Sequence, residues 1–149
     1  ALAPRDLSRK KVAAYALLEN WSSLERVVGL CYFGPAPRSF ISVDGVVGVV
    51  HAATGWDVTV EELLQTGERA TNLARIFNVR EGFSRADDTL PARLFEPLEG
   101  GALAGVAYPK DDFARALTDL YEIKGWDPQT TMPTRGKLAA LGIEWAADL

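Results

Sequence analysis

A chain of 149 residues with 48% hydrophobic and 24% charged residues has the make-up of an ordinary water-soluble domain with a real core. Its net charge of −4 leaves no basic footprint for nucleic acid, and no apolar run reaches the ~18 residues of a membrane span, so neither partner is expected. One cysteine and one histidine exclude an internal disulfide and a self-contained zinc site and fit a reducing, cytoplasmic setting, and the start ALAPRDLSRKK lacks the apolar core of a signal peptide.

Residues 8–31 read as helix, opening after Asp6 or Ser8. Leu17, Trp21, Leu24, Val28 and Cys31 make an apolar stripe at steps of four and three. Ser22 with Glu25 offers a second capping box, so two helices meeting near Asn20 are an alternative. FGPAPRSF at 33–40 is a loop by its prolines and glycine. Ser42 can cap a helix to about Thr54, with Gly55 as its stop. That segment, VDGVVGVVHAAT, is apolar nearly all round, which argues for burial on several sides, although its valines would also suit a strand.

The stretch Thr59–Gly82 carries the strongest local signals. Thr59 and Glu62 form a capping box, and Gly82 stands where a left-handed cap is wanted. Leu63, Gly67, Ala70, Ala74 and Phe77 recur at helical spacing, with acids near the start and arginines near the end as the helix dipole favours. The small residues in that stripe let another helix approach closely. Residues 83–109, with three prolines and the Gly100–Gly101 pair, read as a long loop, which in a compact domain is functional or lies over a partner surface. A helix opens at Asp111 or Asp112 and stops at Gly125. A short one follows Thr134, carrying Leu138 and Leu141 before Gly142. The expectation is all-α: a compact bundle of five to six helices with one long irregular loop, forming a single domain over 1–149.

Most singled-out polar residues have plain readings. His51 is expected as a satisfied core histidine, and Asp87 and Asp88 as loop and cap residues rather than a metal pair. Glu68 and Arg69 are expected to fix helix packing. Of Arg80, Arg85 and Arg93, two are expected to stay solvated. The four tryptophans read as core or interface anchors. No acid–base pair can be read, so catalytic residues are unassigned.

Several stretches in order resemble the C-terminal α-helical part of the tungsten-containing aldehyde ferredoxin oxidoreductase family. They are VVGLCYF at 27–33, AATGWDVTVEELLQTGERATNLARIFNVREG at 52–82, SRADDTLPARLFEPL at 84–98, GWD at 125–127, MPT at 132–134 and KLAALGI at 137–143. The resemblance implies an oxidoreductase that converts aldehydes to carboxylic acids at tungstopterin, a tungsten (or molybdenum) held by two pterins. Electrons would pass through a 4Fe–4S cluster to ferredoxin. It also implies that Cys31 is the fourth cluster ligand and that Arg26, Gly29 and Leu30 lie against one pterin. A lone cysteine on an apolar stripe is ordinarily packing; the GLC context is what assigns Cys31 to the metal.

Two departures qualify that picture. The family's motif is DxxGLC, and its aspartate falls on Arg26, which cannot accept a hydrogen bond. A 4Fe–4S cluster takes four cysteines where this chain has one, and the family's β-rich cofactor domain is absent. No cofactor is therefore expected on this fragment alone. It should complete a site with an N-terminal cofactor domain or subunit, and should expose an apolar patch around Gly29–Phe33. The alternative is a non-catalytic helical scaffold or interaction domain derived from the same family.

Overall fold

The computed structural model describes residues 5–34 and 41–149, so most of the proline loop at 33–40 lies outside the described residues. Within them the fold is all-α. Five helices are present: α1 (Arg9–Val27), α2 (Val43–Thr54), α3 (Val60–Arg80), α4 (Lys110–Lys124) and α5 (Arg135–Ala140). Short 3₁₀ turns occur at Ala92–Phe95, Gly101–Leu103 and Glu144–Asp148, and the single β-bridge among the described residues joins Trp126 to Pro133.

The helix ends follow the side chains that can satisfy them. Ser8, Ser42, Thr59 and Thr134 each accept a backbone N–H in the first turn of α1, α2, α3 and α5. A cap of this kind contributes about 1 kcal/mol. At α3 the box is reciprocal, with Glu62 Oε2 accepting from the Thr59 N–H at 2.8 Å. α1 is one continuous helix, so the second box at Ser22 and Glu25 does not interrupt it. α4 starts after Pro109 without a side-chain cap; Asp111 and Asp112 lie in its first turn, at the positive end of the helix.

α1 lies against α3 and, through its N-terminal half, against α4. The crossing with α3 is made at Gly67, where a Cβ would stand 2.0 Å from the Asn20 carbonyl oxygen and 2.8 Å from the Leu24 nitrogen. The close approach expected from the small residues of α3 occurs there. The buried line of α1 runs through Val12, Ala16 and Leu24, at multiples of four residues. Leu17 lies about 100° off that line and is 56% exposed, and Cys31 is exposed too, so the expected stripe is core at Leu24, with Trp21 and Val28 partly buried against the same cluster. On α3, Leu63, Gly67 and Ile76 are buried, whereas Ala74 and Phe77 are exposed.

Two apolar clusters result. One gathers Leu24, Val46, Val50 and Leu63 from α1, α2 and α3; the other gathers Ile76 of α3 with Leu138, Leu141, Ile143 and Ala146 of the C-terminal segment. The segment 83–109 is the expected long loop. Its backbone is held by the Leu98 N–H to Val106 O (3.1 Å), Gly105 N–H to Leu98 O (2.8 Å) and Tyr108 N–H to Leu94 O (3.0 Å) hydrogen bonds.

Candidate functional site

The turn that ends α1 gathers Arg26, Gly29, Leu30 and Cys31. Gly29 takes φ of +73°, and the Leu30 N–H reaches back to the Glu25 carbonyl at 2.9 Å. This closure needs a left-handed residue, which glycine supplies without a Cβ penalty. The same closure recurs at Gly82, Gly125 and Gly142, each followed by an apolar residue that folds back (Phe83, Trp126 and Ile143). Leu30 packs on the Leu24–Val46–Val50–Leu63 cluster, so the turn is anchored from beneath. Cys31 then emerges exposed. A Cβ at Gly29 would meet nothing within 4 Å, so its outer side is open. Around it Val27, Tyr32 and Phe33 are 53%, 56% and 79% exposed, the two rings edge to face at 5.7 Å. The apolar patch expected around Gly29–Phe33 is therefore present.

An exposed thiol beside an open glycine face suits one wall of a flat ring and one metal ligand. It does not make a complete site: among the described residues no group of three or more His, Cys, Asp or Glu could hold a metal ion. Arg26, exposed on the last turn of α1, carries only donors, so it fits an anionic group such as a phosphate and not the acceptor role of an aspartate.

Its neighbour Glu25 is 2% exposed, and among the described residues neither carboxyl oxygen has a hydrogen-bond partner. Trp21 and Val28, one turn to either side, pack on the same apolar cluster as Leu24. A buried carboxyl without donors carries a desolvation penalty of about 1–3 kcal/mol that an apolar side chain of the same length does not. Glu25→Met keeps the length and removes the unmatched oxygens. It should raise the midpoint of thermal unfolding of the chain, and a fall in the midpoint would show that the carboxyl has a donor.

A second feature lies at the other end of α1. A cavity of about 660 Å³ opens between α1, α3, α4 and the long loop, walled by Tyr15, Tyr108, Phe113 and Leu120. Along its floor Arg75 donates to both oxygens of Asp88 (3.0 and 2.6 Å) and to the Thr131 carbonyl (3.1 Å), and Tyr121 donates to Asp88 at 2.6 Å. Burial pushes the Asp88 carboxyl up, but the Arg75 and Tyr121 hydrogen bonds outweigh it and hold the group below the ordinary carboxylate range. Burial and the bond to Asp88 together push the Tyr121 phenol up. Beside them the buried Lys124 pairs with Glu19, its ammonium 5.1 Å from the Trp126 ring. The floor charges thus satisfy one another. On α1 the cavity lining ends at Glu19, eight residues and about 12 Å of helix before Val27, where the thiol turn begins, so the two are separate features.

The remaining candidates divide. His51 is exposed, its Nδ1 2.9 Å from the Trp56 carbonyl, which corrects the expectation of a core histidine; none of the described elements covers that edge of α2. Asp87 caps the Ser84 N–H at 2.8 Å as a turn residue should. Glu68 pairs with Lys137 (2.7 Å) and Arg69 donates to the Leu141 carbonyl (2.7 Å), fastening α3 to the C-terminal segment. Arg80 and Arg93 are exposed, while Arg85 donates to the Pro128 and Ala114 carbonyls and to Thr118. Trp126 is core and gives its indole N–H to Asn72 at 2.9 Å; Trp56 and Trp145 are 66% and 59% exposed. The Arg75 cluster and Glu25 escaped the sequence reading. A glutamate between Leu24 and Val28 on an apolar stripe was the available signal for the second.

Residues 1–143 match the family model described as aldehyde ferredoxin oxidoreductase, domains 2 and 3. The tungsten-containing aldehyde ferredoxin oxidoreductase of Pyrococcus furiosus is 35% identical over 143 residues, 94% of this chain and 22% of that protein. The protein of the same name from Thermococcus kodakarensis is 36% identical over 143 residues, with the same coverage. An aliphatic sulfonate oxidoreductase, WOR-like subunit, of Pyrococcus furiosus is 30% identical over 114 residues, 70% of this chain. The chain thus spans about a fifth of the length of these curated relatives.

Proposed function

The chain belongs to the aldehyde ferredoxin oxidoreductase family, matching the part of it that covers domains 2 and 3, and from that premise we propose that it is the closing domain of a tungstopterin oxidoreductase acting on aldehydes. The observation that carries this reading is the exposed Cys31 at the end of an anchored glycine turn whose outer face is open. When bound, the tungsten–pterin group and a 4Fe–4S cluster supply the oxidation of aldehyde to acid and the onward passage of electrons to ferredoxin.

The chain's own residues have supporting parts in this. Cys31 gives one thiolate to the cluster. Gly29 and Leu30 present backbone to a pterin, where a side chain would hold the ring away. Val27, Tyr32 and Phe33 are covered by the cofactor domain and keep water from that edge. Arg26 meets a pterin phosphate, an anion suited to a guanidinium. The other cluster ligands and the second wall come from the N-terminal cofactor domain or a separate subunit.

The test is metal content of the full-length protein, purified without oxygen, with and without Cys31→Ala. The expected result is about four irons and one tungsten per chain in the parent, with most of the iron lost and the tungsten largely kept in the variant. Equal iron in both proteins would remove Cys31 from the cluster. Arg26 in the acceptor position favours a second reading, a non-catalytic scaffold kept for protein binding. A parent protein free of metal after anaerobic reconstitution would favour it.

A further inference from the structure

α2 is apolar around nearly its whole circumference, yet the described residues cover one side of it. Val46 and Val50 are buried, whereas Val43 and Val49 are 45% and 44% exposed, and Gly48, Ala52 and Ala53 are exposed too. Its acid and its histidine, Asp44 and His51, are seven residues apart and share one edge. The face carrying Gly48, Val49, Ala52 and Ala53 has no charge. A helix of this kind belongs between two layers rather than on a wet surface.

That face adjoins the thiol turn. A Cβ on Gly34 would stand 3.7 Å from Ile41 Cδ1, and one on Gly45 would stand 3.1 Å from Ile41 Cγ2, so one side chain bridges the Tyr32–Phe33 turn to the start of α2. The side chains of the α2 face are small, and nothing lies within 4 Å of a Cβ placed on Gly48. Small side chains let a second backbone come close, as α1 does over Gly67 within this chain.

We propose that the outer face of α2, together with the Tyr32–Phe33 turn, is the seat of the rest of the same polypeptide, which lays an apolar helix or loop across it. Two facts select this occupant. The relatives are between four and five times as long as the matched segment, which is 22% of them, so most of such a protein lies outside this chain. The face also adjoins, through Ile41, the turn that the closing-domain reading places under the cofactor domain. The inference rests on the closing-domain reading and adds the helix through which the closure is made.

The experiment uses full-length protein carrying Val49→Glu or, on the same face, Ala52→Glu, with His51→Lys as a control on the polar edge, where the last turn of α2 accepts a cation. Both acids sit on exposed positions of this domain, so its own fold is kept. Limited proteolysis and calorimetry read the docking. The acidic variants should be cut between the domains at least about tenfold faster than the parent, because an unpaired charge would be forced into an apolar contact, and the single unfolding transition should split in two. The control should behave as the parent. Parent-like cleavage and a single transition in both acidic variants would overturn the proposal. So would a change confined to the mass in solution, which would make the face a contact between copies. A metal-free parent whose acidic variants still separate would retain the docking surface and defeat the closing-domain reading. A loaded parent with undisturbed variants would do the reverse.

Discussion

Gly67→Ala should lower the stability of this domain by about 2–3 kcal/mol, although alanine is the better helix former. Replacing a helical glycine gains up to about 1 kcal/mol in propensity. Against that, the added methyl would lie 2.0 Å from the Asn20 carbonyl oxygen and 2.8 Å from the Leu24 nitrogen. Both are backbone atoms of α1 and cannot rotate away, so the overpacking cost falls at or above the upper end of the usual ~1–3 kcal/mol. The midpoint of thermal unfolding should drop by roughly 4–12 °C. Gly136→Ala is the matched control, since its Cβ would meet nothing within 4 Å and should be neutral or slightly stabilising. If both variants unfold alike, the α1–α3 crossing is looser than the geometry states.

Arg75→Ala should be at least as damaging. The guanidinium is 8% exposed, bonded to Asp88 and the Thr131 carbonyl, and lies 5.8 and 5.1 Å from the Tyr121 and Trp126 ring centroids. Breaking a buried pair costs about 3–5 kcal/mol, and the partial exposure of Asp88 sets the expectation near 3. The same pair fixes a pH response. The Asp88 carboxyl is held low in the folded state, so its stabilisation is complete above about pH 5 and is lost as pH falls through the depressed folded value. Unfolding followed from pH 6 to pH 2 should therefore show less acid sensitivity in Arg75→Ala than in the parent. Unchanged acid sensitivity would place the titrating carboxylates elsewhere.

What the sequence carried openly was local. The Thr59–Glu62 box, the serine caps of α1 and α2 and the glycine stops all act within five residues, so their chemistry is written contiguously. The small stripe on α3 gave the close crossing, because glycine within a helix has few other uses. Periodicity was less informative about cover. Leu17, Leu18 and Phe77 are apolar and helical but 56%, 61% and 59% exposed, since the pattern marks what can be buried and not what is there to bury it. The Arg75–Asp88–Tyr121–Thr131 cluster joins residues 13 to 56 positions apart, and no spacing rule links them. The thiol turn was found through the ordered family resemblance; Cys31 alone would have read as packing.

The crossing at Gly67 also makes the placing of Cys31 a lever-arm problem. α1 pivots where Asn20 meets α3, and its far half is tied to α4 by Arg9 with Asp119 and Glu122 and by Glu19 with Lys124. From Asn20 to the last helical residue, Val27, is seven residues, about 10 Å. A tilt of one degree swings that end, and the glycine turn it carries, by about 0.2 Å, comparable to the roughly 0.2 Å latitude of a metal–ligand bond. In the proposed role, then, packing at a glycine remote from any cofactor sets how well the sulfur is aimed, and variants too mild to unfold the domain should already register as lost iron.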